Sequence, residues 1–159
     1  MITNFKVNSM YDKILIGLDD SDNSRRAAKR LIELQKKFNS EIIAFHSVLH
    51  HLSEINPSYL GGGGGSVISL QIHEDYVNRG RKVLKEAEEL FKESGIDIET
   101  RLIYDIPPED YIEKIVEEEN INLVVLGCKG SHSKLKRTFV GTVPDKVVNT
   151  AGCDVLIVR

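Results

Sequence analysis

From Tyr11 to the last residue, short apolar runs alternate with longer amphipathic stretches. The run Tyr11-Asp-Lys-Ile-Leu-Ile-Gly-Leu18 ends in Asp19-Asp20-Ser21-Asp22, the pattern of a buried strand followed by a helix start. Ala27, Ala28, Leu31, Ile32, Leu34 and Phe38 then recur at helical spacing, predicting a helix over about 23–38 that Asn39-Ser40 ends. Glu41 to Val48 is a second apolar run. Residues 67–93 are helical in pattern, through Ile72, Tyr76, Val83, Leu84, Ala87, Leu90 and Phe91, with Gly95 as the expected C-terminal cap. Ile96 to Tyr104 alternates apolar and polar residues, as a strand near a sheet edge does. Pro107-Pro108 opens a helix carrying Tyr111, Ile112, Ile115 and Val116. Asn122 to Leu126 is uninterrupted in its apolar part, the signature of a central parallel strand. A last helix begins near Thr142 or Val143 and should turn Val147, Val148 and Ala151 inward, before the strand Asp154 to Val158.

The order is β-α-β-α-β-α-β-α-β, which implies an α/β fold with parallel strands, right-handed crossovers and helices on both faces. Open sheets of this kind bind ligands outside the carboxyl ends of their strands, where the strand order reverses. At 159 residues the chain has the length of one domain, expected over 11–159 behind a short tail, 1–10. Between Leu49 and Ser66 lie Pro57 and the run Gly61–Gly65, whose ordering entropy suggests a flexible loop. A net charge of -3 gives no general attraction to nucleic acid or an anionic membrane. No apolar run is long enough to span a bilayer, and Met1–Met10 lacks the features of a signal peptide, so a cytoplasmic location is expected. Cys128 and Cys153 are far apart and fit two free thiols.

The residues most suggestive of chemistry follow the central apolar strand. Gly127-Cys-Lys-Gly130 is separated by ten residues from Gly141-Thr142, where a helix opens. Glycines there permit a sharp turn and close approach of a ligand, and the helix start presents N–H groups, a hydroxyl and a positive dipole end. This is a cradle for phosphate, or equally a turn shaped by glycine, with Thr142 and Asp145 as a capping box. Lys129, His132, Lys134, Lys136 and Arg137 crowd the same segment, as phosphate partners or as a solvated basic loop. Asp19 ends the first strand, where a carboxylate can accept hydrogen bonds from a ribose or an adenine amine; Asp20, Ser21 and Asp22 compete for helix capping. There is no GxxxxGK[ST] or GxGxxG motif. His50, His51 and His73 lack partners at metal-binding spacing.

The stretches Lys13–Asp22, Glu41–Val48 with His46, Asn122–Gly130, Thr138–Val143 and Cys153–Arg159 resemble the universal stress protein family, and the resemblance runs from Tyr11 to the C-terminus. It implies a flavodoxin-like, adenine nucleotide α-hydrolase-like sheet in the order 3-2-1-4-5, and a homodimer through the C-terminal strand. It also implies a role in the stress response, with ATP as ligand, alone or with Mg²⁺. Carried over residue by residue, Gly127, Gly130, Gly141, Thr142 and the backbone of Val143 would hold phosphates and ribose. Gly17, Leu18 and Asp19 would lie at the adenosine end, and Ser47 would meet adenine through its backbone. Two departures stand out: a ten-residue spacer, Ser131–Val140, where the family has nine, and Asp20 where glycine is common. A member of the same fold that binds no nucleotide and acts as a dimeric interaction module is the alternative. A phosphoryl-accepting receiver domain would use Asp19-Asp20 for Mg²⁺ but leaves the glycines unexplained. No general base for hydrolysis is evident, so any ATP turnover is expected to be slow.

Overall fold

A computed structural model describes residues 10–48, 65–104, 106–129 and 141–159, with 65–70 as backbone. The elements are β1 (Lys13–Gly17), α1 (Asp22–Phe38), β2 (Glu41–Ser47), α2 (Gly65–Glu93), β3 (Glu99–Ile103), α3 (Pro108–Glu118), β4 (Leu123–Gly127), α4 (Thr142–Thr150) and β5 (Asp154–Val158). The five strands form one sheet in the order β3-β2-β1-β4-β5, and every pairing is parallel. The expected fold and strand order are therefore present. The flexible loop expected at 49–66 lies outside the described residues except for Gly65 and Ser66, which already belong to α2.

Successive side chains of a strand face opposite sides of the sheet, and here both sides are covered. Ile14, Ile16, Ile42, Ala44, Leu123 and Val125 pack with Ala27, Leu31, Val83, Leu84 and Phe91 of α1 and α2. Leu15, Ile43, Phe45, Val124 and Leu126 pack with Tyr111, Ile112, Ile115 and Val147 of α3 and α4. Two-sided burial is why β1, β2 and β4 are continuous apolar runs. The edge strands β3 and β5 are only partly buried, which explains the alternation along β3.

The helix ends follow local chemistry. Ser21 caps α1, its hydroxyl accepting from Ser24 N, and Asn39 closes the helix at a φ of 50°. Gly95, at a φ of +74°, ends α2 as expected, since a left-handed residue there lets Ile96 N–H return to Phe91 O. The expected inward turn of α4 holds for Val147, which is fully buried, and fails for Val148, which is 56% exposed. Adjacent helical residues lie about 100° apart, so a helix resting on the sheet through Val147 carries Val148 away from it.

The amino edge of the sheet is held by charge. Lys13 Nζ lies 3.1 Å from Glu119 and 3.7 Å from Glu41, and Arg101 makes two bonds to Glu119, of 2.6 and 3.1 Å. These link β1, β2 and β3 to the end of α3. A polar cavity of about 520 Å³ opens beside them, with Lys13, Glu41 and Glu119 among its lining. Hydrogen bonds from Arg101 pull the Glu119 carboxyl down to about 2, against the opposing effect of burial, and Glu119 in turn raises Lys13. A lowered folded-state pKa contributes stability above the unfolded value near 4.5, and that contribution fades as pH falls toward 2. We expect Glu119→Gln to cost about 1–3 kcal/mol at pH 7. The gap between variant and wild type should close between pH 4.5 and 2 in urea titrations.

Candidate functional site

Strand β1 pairs with β2 on one side and β4 on the other, so the strand order reverses at β1. The chains leaving β1 and β4 then go to opposite faces of the sheet, α1 to one and α4 to the other. A crevice between them at the carboxyl edge follows from this topology.

On the β1 side the backbone is fixed from below and from the flank. Leu18 N–H donates to Phe45 O at 2.9 Å, and the buried imidazole of His46 meets Leu18 O through Nδ1 at 2.7 Å. A carbonyl can only accept, so Nδ1 carries the proton. Asp19 N–H donates to Ser24 Oγ at 3.0 Å, and Asp19 Oδ1 accepts from Ser21 N–H at 2.9 Å. Asp19 thereby braces the turn that delivers Ser21 to its cap, while remaining partly exposed at the carboxyl edge. Ser47 is 5% exposed, and its hydroxyl donates to Ile106 O at 3.0 Å. Its side chain is thus engaged by the chain leaving β3.

On the β4 side, Cys128 N–H donates to Val158 O at 2.7 Å, continuing the β4–β5 pairing. Gly141 N–H donates back to Cys128 O at 2.8 Å, closing the two ends of the 128–141 segment on each other. Gly130 and Ser131–Val140, with His132, Lys134, Lys136 and Arg137, lie outside the described residues, as do His50 and His51. Gly141, not Thr142, is the N-cap of α4, and it brings no capping side chain. The expected Thr142–Asp145 capping box is therefore absent, because Thr142 is already the first helical residue. The N–H groups of Thr142 and Val143 meet no acceptor among the described residues, and Pro144 has none to offer. Among the described residues the positive end of α4, at the β4 side of the carboxyl edge, therefore keeps these two donors without an acceptor.

The glycines have separate reasons. A Cβ on Gly141 would stand 3.2 Å from Cys128 O. One on Gly17 would stand 2.7 Å from Leu126 Cδ2, and one on Gly127 would stand 2.8 Å from the backbone carbon of Asn23. Gly127 is thereby required by packing against backbone, whatever binds above it, whereas a side chain at Gly17 would have to displace the buried Leu126 and Phe45 side chains. Pattern reading missed two participants. Asn23 Nδ2 donates to Lys129 O at 3.2 Å. Gly80, inside α2, allows the helix to lie against His46: a Cβ there would be 2.6 Å from the imidazole Cδ2 and 2.7 Å from Leu102. A glycine interrupting a helical pattern is the available signal for such a close approach. Among the described residues no cluster of three or more histidine, cysteine or carboxylate side chains could hold a metal.

A parallel α/β sheet with its crevice at the β1/β4 reversal defines a class of ligand-binding domains. Within it, the sequence model of the universal stress protein family matches residues 10–159, and the chain belongs to that family. Universal stress protein MJ0531 of Methanocaldococcus jannaschii is 30% identical over 154 residues, covering 95% of this chain and 84% of the relative. Universal stress protein UspA from Lactobacillus plantarum superposes with a TM-score of 0.77 at 22% identity, over 96% of this chain and all of the other. A universal stress protein solved in complex with cAMP gives a TM-score of 0.62 at 27% identity, over 94% and 97% of the two chains.

Gly80→Ala should destabilise the protein. The clash with His46 and Leu102 costs about 1–3 kcal/mol, against a helix-propensity gain of up to about 1 kcal/mol. A thermal melt lowered by several degrees is expected; an unchanged or raised midpoint would show that α2 can move off His46.

Proposed function

We propose that the protein binds an adenine nucleotide, ATP first among them, in the crevice between the β1 and β4 loops, and that the bound nucleotide sets its state as a regulator in the stress response. The observation that carries this reading is the start of α4, whose Thr142 and Val143 N–H groups meet no acceptor among the described residues, directly beyond a pair of chain ends tied together by Gly141 N–H and Cys128 O. Open N–H donors at a helix N-terminus complement phosphate charge. The nucleoside would lie toward Gly17, Leu18, Asp19 and the backbone of Ser47, and the phosphates toward Gly127, Gly130, Gly141, Thr142 and Val143. The Asp19 carboxylate offers an acceptor suited to ribose hydroxyls or the adenine amine. Mg²⁺, if it accompanies ATP, would be carried by the phosphates. The likeness to a universal stress protein bound to cAMP supports adenine as the base. No described side chain is placed as a general base for hydrolysis, so the reading is binding, with turnover at most slow. The nucleotide-independent interaction module is the competing reading, and the ten-residue spacer Ser131–Val140 favours it.

We also propose that the protein works as a homodimer in the cytoplasm, paired through β5. That strand is an edge, with Val155, Leu156, Ile157 and Val158 only half-buried in the single chain. No described helix is long and apolar enough to cross a membrane. Sedimentation should give about twice the chain mass of 17.9 kDa; the single-chain mass at micromolar concentration would remove the dimer.

The direct test is to denature the purified protein and separate any released nucleotide, then to titrate ATP by calorimetry with and without Mg²⁺. Bound or titratable ATP is expected. Gly141→Val should weaken it at least tenfold, because a branched side chain there meets Cys128 O and spreads the chain ends. No binding of ATP, AMP or cAMP at millimolar concentration would leave the interaction module.

A further inference from the structure

The first turn of α1 touches both halves of the crevice. Its Ser24 hydroxyl accepts from Asp19 N–H on the β1 side, at 3.0 Å. One residue earlier, Asn23 Nδ2 donates to Lys129 O on the β4 side, at 3.2 Å. The orientation of the Asn23 amide is set by chemistry. Its Oδ1 accepts from Arg26 Nη2, one turn along the helix. A guanidinium can only donate and a backbone carbonyl can only accept, so the oxygen must face Arg26 and the NH₂ must face Lys129. Gly127 completes the contact. Its missing side chain lets the 23–24 peptide lie against β4, with Asn23 C and Ser24 N at 2.8 and 2.9 Å from where a Cβ would be. The next peptide group but one is the Lys129 carbonyl that Asn23 holds. Directly before it, the Cys128 carbonyl accepts from Gly141 N–H and so anchors the start of α4.

From this we infer that Asn23 is a positioning residue: through the relay Arg26–Asn23–Lys129 O it fixes the chain leaving β4, and with it the start of α4, relative to the Asp19 side of the crevice. The inference rests on the adenine-nucleotide reading for its ligand, and it adds a selectivity to that site. Without the Asn23 bond the β1 side keeps its own restraints, from His46 and Ser24, whereas the β4 side loses one of the bonds that set its position. Removing the relay should therefore penalise ligands in proportion to their phosphates, and spare the nucleoside.

Asn23→Asp separates the roles. An aspartate has nearly the same size and still accepts from Arg26, but it offers Lys129 O no N–H. Asn23→Ala is the companion variant. Two readouts are needed. Amide exchange of Gly141 in the ligand-free protein reports the chain ends directly, with Ile16 and Val125 as core references. Calorimetric affinities for adenosine, AMP, ADP and ATP report the consequence. Both variants should exchange Gly141 about tenfold faster while the core amides stay unchanged. ATP should bind about tenfold more weakly, AMP less affected, and adenosine within twofold of wild type. Unchanged Gly141 exchange would overturn the relay, and so would an equal loss for adenosine and ATP. Wild-type protein that binds none of the four ligands would refute the nucleotide reading alone, and Gly141 exchange would then decide the relay by itself.

Discussion

Strand β1 is hydrogen-bonded on both sides, to β2 through Lys13–Gly17 and to β4 through Ile14–Ile16, and the rest of the molecule depends on that reversal. Parallel pairing forces each connection to cross over a face of the sheet. With β1 at the centre, α1 and α2 cover one face, and α3 and α4 the other. The chains leaving β1 and β4 must then diverge at the carboxyl edge, toward α1 on one face and α4 on the other. That divergence is a consequence of topology before any residue beside it is chosen for chemistry.

The two ends of the sheet are held differently. At the amino edge, Lys13, Glu41, Glu99, Arg101 and Glu119 form a connected set of opposite charges across three strands and the end of α3. At the carboxyl edge the restraints are mainly bonds to backbone: His46 to Leu18 O, Asn23 to Lys129 O, Asp19 Oδ1 from Ser21 N–H, and Gly141 N–H to Cys128 O. Bonds of that kind fix the path of a loop without spending its remaining donors. Among the described residues the N–H groups of Thr142 and Val143 at the start of α4 meet no acceptor, which is what an anionic ligand requires.

His46 shows how packing and site are joined. It is 2% exposed, lies near the end of a core strand, and reaches the Leu18 carbonyl directly after the neighbouring strand β1. Gly80 of α2 lies directly against the imidazole, in space a Cβ would occupy. A helix far along the sequence thus sets the position of the backbone proposed to meet the nucleoside, with no ligand contact of its own. Family membership fits this arrangement, since the matched region runs from residue 10 through 159 and includes both loops and the strands beneath them.

The sequence by itself determined the elements and their order. Continuous apolar runs at Ile14–Ile16 and Leu123–Leu126 can only be buried on both faces, helical periodicity placed α1 within about a residue, Gly95 marked the end of α2 and Pro107-Pro108 the start of α3, because these signals act over neighbouring residues. The glycines and Asp19 of the site were also visible as motif residues. Only the tertiary structure decided why they are needed. Gly127 makes room for the Asn23–Ser24 peptide and Gly17 for Leu126, contacts that span about a hundred residues of chain. Asn23 carried no pattern that pointed to the β4 side, Gly80 showed only as a glycine inside a helical pattern without naming its neighbour, and the outward turn of Val148 contradicted an inward expectation. Periodicity reports which residues avoid water; it carries no record of which distant backbone will lie alongside, and that is fixed only when the strands pair and the helices settle on the sheet.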